Sequence, residues 1–305
     1  MISEKPSYLG LSERGFLEKI KALESLLRNC LLCPRRCQVN RLKDQLGICR
    51  TGKEIKVSSH NLHFGEEPPI SGARGSGAIF FAYCSLRCVF CQNYPISQFG
   101  HGNPVTIEEL GSMMLSLQQQ GAQNINLVTP THLLWQIVQA LYWASRRGLA
   151  LPIVYNSGGY ESVETLALLE GLIDIYLPDA KYSAEEQAIK YSSAPNYWEV
   201  NKPALKEMYR QVGNLTINEE GAALRGLLVR HLVLPEGISG SEKVLKFLAE
   251  EISPDLSVSL MAQYHPAHQA NSYPELSRRL SAGEYQKVLD LADSLGLKNG
   301  WRQEL

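Results

Sequence analysis

Cysteine is missing from most of this sequence, and its absence there is informative. All seven cysteines fall into two groups, four between positions 30 and 49 and three between positions 84 and 91. An isolated buried cysteine behaves as an ordinary small apolar residue, and none is used in that way here. We therefore interpret both groups as metal ligands or reactive thiols rather than as the disulfides of a secreted protein.

Long apolar runs and a surplus of charge are missing as well. No stretch reaches the ~18 apolar residues that predict a transmembrane helix, and the first residues lack the pattern of a signal peptide, so we expect a cytoplasmic protein. The formal net charge of −1 indicates no strong attraction to nucleic acid or to membranes. The length of 305 residues suits one large domain with a small appendage. Hydrophobic residues make up 44% of the positions, which is enough for a sizeable core.

The group of three cysteines has a spacing that favours an iron–sulfur cluster. Cys84, Cys88 and Cys91 follow directly on the apolar run 78–83, which predicts a buried strand. A [4Fe–4S] cluster normally takes four thiolates, so three leave one iron without a protein ligand. Catalytic metal sites need such an open position, whereas structural sites are closed. The alternatives are a zinc knuckle and a chance cluster of buried cysteines.

The group of four cysteines predicts a second, closed metal site. Cys30 and Cys33 form a chelating pair, and Cys37 and Cys49 complete a set of four thiolates. Such a set suits Zn²⁺ or an auxiliary iron–sulfur cluster, and its spacing does not decide between them. Because short segments of low apolar content often fold only around a metal, we favour a structural role over an electron relay. With an amphipathic helix at 12–29, this module is expected to span residues 1–58.

Residues 59–305 have the pattern of a partial barrel. After a loop at 60–77, six apolar strands alternate with helices, as in a parallel sheet that is covered on both faces. Eight strands would close a TIM barrel, so we expect the α/β class with a partial (β/α)6 TIM-like barrel. A helix at 198–212 should kink or restart at Pro203. The strands are predicted at 78–83, 124–129, 152–156, 172–177, 227–234 and 257–262.

Polar side chains collect at the carboxyl ends of these strands, where such folds carry their chemistry. Taken singly, they also suit a turn at 156–159, a helix cap at Asp179 and a buried core histidine at His265. Their shared position at one rim favours a ligand site. Glu66 and Glu67, in the 60–77 loop, either reach that site or lie on the surface. The residues at the rim are Thr131, Asn156, Ser157, Asp179, Lys181, Arg230 and His265.

The cysteine loop and three other segments resemble the radical S-adenosylmethionine (SAM) superfamily. They look closest to the branch related to the pyruvate formate-lyase activating enzyme, in a form with an N-terminal four-cysteine module. The resemblance implies a [4Fe–4S] cluster on Cys84, Cys88 and Cys91, with SAM chelated to the open iron. It further implies reductive cleavage of SAM to a 5′-deoxyadenosyl radical that abstracts hydrogen from a substrate. The matching segments are 64–72, 84–93, 176–181 and 229–235.

The same resemblance implies which residues contact SAM. Asp179 and Lys181 match an Asp-x-Lys pair that touches SAM, and Arg230 matches an arginine suited to a carboxylate. Thr131 stands where the activating enzymes carry a Gly-Gly-Glu turn for the SAM amino group, which is one departure. The other departure is that the extra cysteines precede the cluster loop. The remaining implied contacts are Phe90 near the adenine, Asn156 and Ser157 at the ribose turn, and His265 after the sixth strand.

These observations lead us to expect an anaerobic radical enzyme. Its electron donor would be a protein such as flavodoxin or ferredoxin. Two substrates compete: the glycine Cα of a partner glycyl radical enzyme, and a small molecule or peptide held under the N-terminal module. An alternative from a different functional class is a non-catalytic iron–sulfur or zinc electron carrier or adaptor. Only the four-cysteine module supports that alternative.

Overall fold

A computed structural model describes residues 5–304, and within that range ten strands form one sheet with the order β10-β9-β8-β6-β5-β4-β2-β1-β3 and β7 beside β8. The strands are β1 (Ile55–His63), β2 (Ser76–Phe81), β3 (Asn103–Val105), β4 (Ile125–Val128), β5 (Ile153–Ser157), β6 (Ile175–Pro178), β7 (Thr216–Ile217), β8 (Ala223–Leu232), β9 (Ser257–Met261) and β10 (Gly300–Arg302).

Helices connect the parallel strands and cover the sheet. They are α1 (Glu13–Arg28), α2 (Pro68–Ser71), α3 (Tyr94–Ser97), α4 (Ile107–Gln119), α5 (Leu134–Ser145), α6 (Val163–Leu168), α7 (Glu185–Ser192), α8 (Tyr197–Val212), α9 (Ser241–Phe247) and α10 (Ala282–Ser294). None of the helices within residues 5–304 is long and apolar enough to cross a membrane.

The six predicted strands are all present and run parallel, as β2, β4, β5, β6, β8 and β9. Strand β10 adds a further parallel neighbour to β9. The buried positions of these strands are mostly apolar, because helices cover one face and the barrel interior the other. The α/β class and the partial barrel are therefore confirmed.

The prediction of a loop over residues 60–77 is wrong for residues 60–63, 68–71 and 76–77, which belong to β1, α2 and β2. Strand β1 covers residues 55–63, lies antiparallel to β2 and also pairs with β3. Only its first half alternates buried and accessible residues, while Ser59, His60 and Asn61 are exposed. Strand β1 is held in the sheet because it pairs with the free edge of β2. Its own sequence has little of the alternating apolar pattern by which a strand is recognised. The domain boundary expected between residues 58 and 59 falls inside β1.

Two helix predictions had different outcomes. Helix α1 is capped as expected, since the Gly15 N–H donates to Ser12 Oγ at 3.1 Å. Helix α8 runs without interruption through Pro203, so the predicted restart is wrong. Pro203 costs the helix one backbone hydrogen bond in its interior, while Ala204, Leu205 and Met208, which follow it, are fully buried and hold the helix in place.

The segment after β1 enters the barrel from the amino-terminal ends of the parallel strands. Because β1 is antiparallel to β2, His63 pairs with Ser76, where β2 begins. Helix α2 then places Ile70 in the barrel interior against side chains of β5, β6 and β8. Gly72 makes this approach possible: it has φ of +48°, and a Cβ there would lie 1.8 Å from Gln123 Nε2. The barrel is thus closed at one end and keeps its polar groups toward the other.

Candidate functional site

The three-cysteine loop, residues 84–91, is called the cluster loop below. It leaves the end of β2 through a sharp turn. Tyr83, which precedes Cys84, has φ of +70°, so the chain departs from the strand direction there. Each of the three sulfurs has a polar neighbour. The Leu86 N–H donates to Cys84 Sγ at 3.3 Å, the Ser192 hydroxyl donates to Cys88 Sγ at 3.0 Å, and Ser97 Oγ lies 3.1 Å from Cys91 Sγ.

The thiols of this loop lie close enough to influence one another. Burial raises the pKa of Cys84 to about 12, and the charges of Cys88 and Cys91 add to the rise. Burial also raises the pKa of Cys88, and nearby Lys181 opposes that rise. No three His, Cys, Asp or Glu side chains within residues 5–304 already have the spacing of a metal-binding set. The donor chemistry nonetheless fits an iron–sulfur cluster, because a bound cation would remove the cost of ionising clustered, buried thiols.

The four-cysteine group lies in a compact module built on backbone hydrogen bonds. The Cys30 N–H donates to Val39 O at 2.9 Å, and the Gln38 N–H returns to Cys30 O at 3.2 Å. Burial raises the pKa of Cys30 and Cys33, and the charge of Cys49 adds to both rises. These three cysteines are therefore neighbours.

The fourth cysteine of the module faces the segment that carries Cys49. The Ile48 N–H lies 3.4 Å from Cys37 Sγ. At Gly47, a Cβ would come within 2.9 Å of the same sulfur. Cys37 thus lies beside residues 47 and 48, which precede Cys49 in the chain, and it is the most accessible of the four cysteines.

Two arginines join the cysteine groups to each other. Arg35, from the module, donates from Nε to Ser85 O at 2.9 Å, next to Cys84. Arg87, from the cluster loop, donates to Ile48 O, next to Cys49, and to Cys84 O at 3.2 Å. The module therefore lies directly on the cluster loop, and each group carries a guanidinium that holds the other's backbone.

A buried ion network occupies the carboxyl ends of β6 and β8. Arg230 donates from Nε to Asp179 Oδ1 at 2.9 Å and from Nη2 to Asn156 Oδ1 at 2.6 Å. Lys181 Nζ donates to Asp179 Oδ2. Burial alone would raise the pKa of Asp179, but Arg230 and Lys181 outweigh it and hold that pKa below its usual value. Asp179 is thus an ionised partner of two cations, and Ala184, not Asp179, precedes α7 as its cap.

Glu66 reaches this network from the opposite end of the barrel. Its Oε2 accepts from Arg230 Nη1 at 3.3 Å, and its Oε1 accepts from Asn126 at 3.0 Å and from Asn156 at 3.2 Å. The sequence left open whether Glu66 reaches the site or the surface, and the structure places it in the site. Asn126, in the middle of β4, was missed because it lies within an otherwise apolar strand.

Thr131 belongs to a second buried group that the sequence did not reveal. Its hydroxyl donates to Glu161 Oε1 at 2.7 Å, and the Tyr155 hydroxyl donates to Glu161 Oε2 at 3.0 Å. Burial raises the pKa of Glu161 to about 7, while hydrogen bonds from Thr131, Tyr155 and Ser157 oppose the rise. The Thr131 hydroxyl therefore already donates its only proton to Glu161. Glu161 lies in a short loop without any local motif, so no signal marked it.

Of the remaining two candidate residues, Phe90 lies within the cluster loop and His265 lies beside it. Phe90 is buried and packs edge-on against Tyr264, with ring centroids 5.9 Å apart. His265 is exposed, and its Nδ1 lies 3.2 Å from Nε2 of Gln92, the residue after Cys91. His265 is thus neither a core histidine nor a member of the Arg230 network.

A known protein resembles nearly the whole chain. The uncharacterized protein MJ0674 of Methanocaldococcus jannaschii is 32% identical over 303 residues, which cover 96% of this chain and 80% of that protein. The chain belongs to the family of this archaeal protein. No family model matches the sequence.

Solved structures resemble the barrel at much lower identity. SuiB of Streptococcus suis matches with a TM-score of 0.50 and 12% identity over 73% of this chain and 47% of SuiB. The chain therefore spans about half the length of SuiB. Methylornithine synthase matches with a TM-score of 0.47 and 15% identity over 94% of this chain and 71% of that enzyme. At this identity the likeness to SuiB shows the fold alone, a partial barrel built on parallel strands.

Proposed function

We propose that this protein is a radical SAM enzyme. The observation that carries the proposal is the pairing of a three-thiol loop at the end of β2 with a buried ion network at the ends of β6 and β8. The thiols supply soft ligands for a cluster that keeps one iron open. The network supplies opposite charges at the same rim, and Lys181 is near enough to Cys88 to oppose the rise in its pKa that burial causes.

Each part of the site has a separate task in this proposal. Cys84, Cys88 and Cys91 hold the [4Fe–4S] cluster, which together with SAM supplies a 5′-deoxyadenosyl radical for hydrogen abstraction. Asp179 suits the ribose hydroxyls or the ammonium group of SAM, because its lowered pKa keeps it ionised. The remaining contacts proposed for SAM are Lys181 and Arg230 at its carboxylate, Asn156 and Ser157 at the ribose, Phe90 near the adenine, Thr131 near the ammonium group, and His265 at the outer edge.

A carrier or adaptor is less well supported by the same observations. A protein that only moves electrons does not need a buried network of three ionised side chains, since burying charge is costly unless each charge is paired. Asp179 pairs with both Lys181 and Arg230, and all three side chains are largely buried. A binding site for a zwitterionic ligand can use such pairs, because the ammonium and carboxylate groups of the ligand can take the place of one partner in each pair.

We propose that the N-terminal cysteines hold a second, closed metal ion or cluster, zinc or iron–sulfur, with a structural role. The support is the convergence of Cys30, Cys33 and Cys49 and the contact of the module with the cluster loop through Arg35 and Arg87. The role of an activase for a glycyl radical enzyme, and a donor such as flavodoxin or ferredoxin, are proposed on the sequence resemblance alone.

The proposal is tested by looking for reductive cleavage of SAM. The protein is loaded anaerobically with iron and sulfide, reduced with dithionite and incubated with SAM, and 5′-deoxyadenosine is measured by mass spectrometry. We expect 5′-deoxyadenosine from the wild type and none from Cys88→Ser. Cluster-loaded wild type that forms no 5′-deoxyadenosine with any reductant would refute a radical SAM activity.

A further inference from the structure

A small polar cavity lies inside the barrel beside Arg230, on the side of β9 and β10. It has a volume of about 90 Å³, and its walls include Glu66, Glu67, Arg230, Ser259, Gln303 and Trp301. Arg230, Ser259 and Trp301 are aligned across β8, β9 and β10, so they form one layer of the lumen. The cavity thus borders Arg230 and Glu66, two members of the buried ion network at which SAM is proposed to bind.

One wall of this cavity carries a carboxylate oxygen that lacks a partner. Glu67 is only 8% exposed, and its Oε2 has no hydrogen-bond partner within the described chain. Burial raises the pKa of Glu67, and the charge of Arg230 and hydrogen bonding from Ser259 only partly oppose the rise. An unsatisfied buried carboxylate is among the most costly groups that a fold can retain. Such a group on a cavity wall indicates a ligand that satisfies it.

The charges around the cavity indicate the sign of that ligand. The nearby acids are Glu66, Glu67 and Asp179, whereas the nearby cations are Arg230 and Lys181. Arg230 already donates to Asp179, Asn156 and Glu66, and no ion pair to Glu67 occurs among residues 5–304. When all five groups are ionised, one negative charge remains uncompensated, and it lies at Glu67.

We propose that this cavity is a substrate subsite that binds a primary ammonium group on a short alkyl chain. Glu67 Oε2 and the Ser259 hydroxyl accept hydrogen bonds from the ammonium group. Trp301 and Met261, which also line the cavity, provide an aromatic face for the cation and apolar surface for the methylene groups. The inference rests on the proposed function, since it makes an aminoalkyl compound or a lysyl side chain the class of substrate that the radical meets.

The test measures binding without turnover. SAM-bound, cluster-loaded protein is kept free of reductant and titrated with propylammonium, while propanol and propionate serve as neutral and anionic probes of similar size. Binding is followed by protein-observed NMR. We expect saturable binding of propylammonium alone, a loss of at least tenfold in affinity for Glu67→Gln, and no change for Glu304→Gln, which alters an exposed acid directly after Gln303.

Several outcomes would overturn the subsite. They are the absence of saturable propylammonium binding, equal binding of propanol, and unchanged affinity in Glu67→Gln. Nα-acetyl-lysinamide is titrated in parallel, and the tighter of the two ammonium probes tells whether the substrate is a free amine or a lysyl side chain. Because no reductant is present, these results are independent of SAM cleavage: intact cleavage without amine binding refutes the subsite alone.

A stability measurement separates a ligand site from a structural role and shows that the variant folds. If Glu67 serves a ligand, Glu67→Gln should melt at a higher temperature than the wild type, because an unpaired buried charge is removed. Propylammonium should raise the melting temperature of the wild type but not of Glu67→Gln. A lower melting temperature in Glu67→Gln, together with amine binding unaffected by the substitution, would assign Glu67 a structural role and overturn the proposal.

Discussion

The two cysteine groups differ in where their sulfurs find hydrogen-bond partners. In the four-cysteine module the partners lie within the module itself: Cys30 and Cys33 accept from the backbone N–H two residues ahead, and Cys37 accepts from the Ile48 N–H. In the cluster loop, two of the three partners come from other elements: Ser97 belongs to α3 and Ser192 to α7. The module is therefore largely self-contained, whereas the cluster loop depends on the folded barrel.

This difference has a chemical consequence. A set of four thiolates fills all coordination positions of a tetrahedral metal ion and leaves none for a further ligand. The three thiols of the cluster loop are surrounded by side chains from the barrel. One of these is Lys181, whose charge opposes the rise in the pKa of Cys88 that burial causes. We interpret the module as a support for the cluster loop and the cluster loop as the reactive part of the same assembly.

The largest effects are expected from removing ligands of one group at a time. Cys84→Ser should abolish the cluster of the loop and all SAM cleavage while the module keeps its metal. Cys30→Ser combined with Cys33→Ser should remove the module's metal and leave SAM cleavage partly intact. Metal and sulfide analysis, together with 5′-deoxyadenosine formation, checks both variants. Loss of the loop cluster in a folded double variant would show that the two sites are not independent.

The next largest effect concerns the ion network beside the cluster loop. Asp179→Ala should weaken SAM binding by roughly 1.5–3 kcal/mol, the worth of a hydrogen bond to a charged group. Cluster content should be unchanged, because Asp179 is not a ligand. Titration of SAM at matched cluster load measures the effect, with Asp179→Asn as the variant that keeps the shape. Wild-type affinity in Asp179→Ala would remove this residue from the site.

A pH-dependent effect is expected from Glu161, which lies where the module meets the strand ends. Burial raises the pKa of Glu161 from 4.5 to about 7, so the folded state binds this proton more tightly than the unfolded state. Its contribution to stability is complete below pH ~4.5 and is lost as the pH rises through 7, on the order of 3 kcal/mol. Glu161→Gln should abolish that loss.

Thermal denaturation of the loaded protein between pH 5 and 8 measures this difference. Glu186→Gln, an exposed acid on α7, serves as the control and should follow the wild type. A Glu161→Gln variant that loses stability with pH as steeply as the wild type would show that another group carries the dependence.

The smallest effect is expected from a partner that only the barrel supplies. Ser192→Ala removes the hydrogen bond to Cys88 Sγ, and hydrogen bonds to sulfur raise the reduction potential of a cluster. The potential of the loop cluster should therefore become more negative, while any signal from the module stays unchanged. Redox titration followed by EPR checks the shift against Ser112→Ala, which alters an exposed serine of α4. A shift of equal size in both variants would contradict the assignment.

The same contrast between local and distant contacts explains what could be predicted from the sequence. The parallel strands, the cap at Ser12 and the spacing of both cysteine groups are local patterns, and for the strands and the cap the structure agrees. Glu66, Glu161 and Ser192 were missed or left open because their roles arise from residues 30 to 164 positions away. Strand β1 was missed for a related reason, since its partner strand, not its own pattern, makes it a strand.

The most direct test of SAM binding at the three-cysteine loop follows the EPR spectrum of the reduced, cluster-loaded protein while SAM is added. We expect one cluster signal to change with SAM, to be absent from Cys84→Ser, and to persist in the Cys30→Ser and Cys33→Ser double variant. A fully loaded wild type whose cluster signals are all unaffected by saturating SAM would contradict the claim that the three-cysteine loop leaves an open iron for SAM.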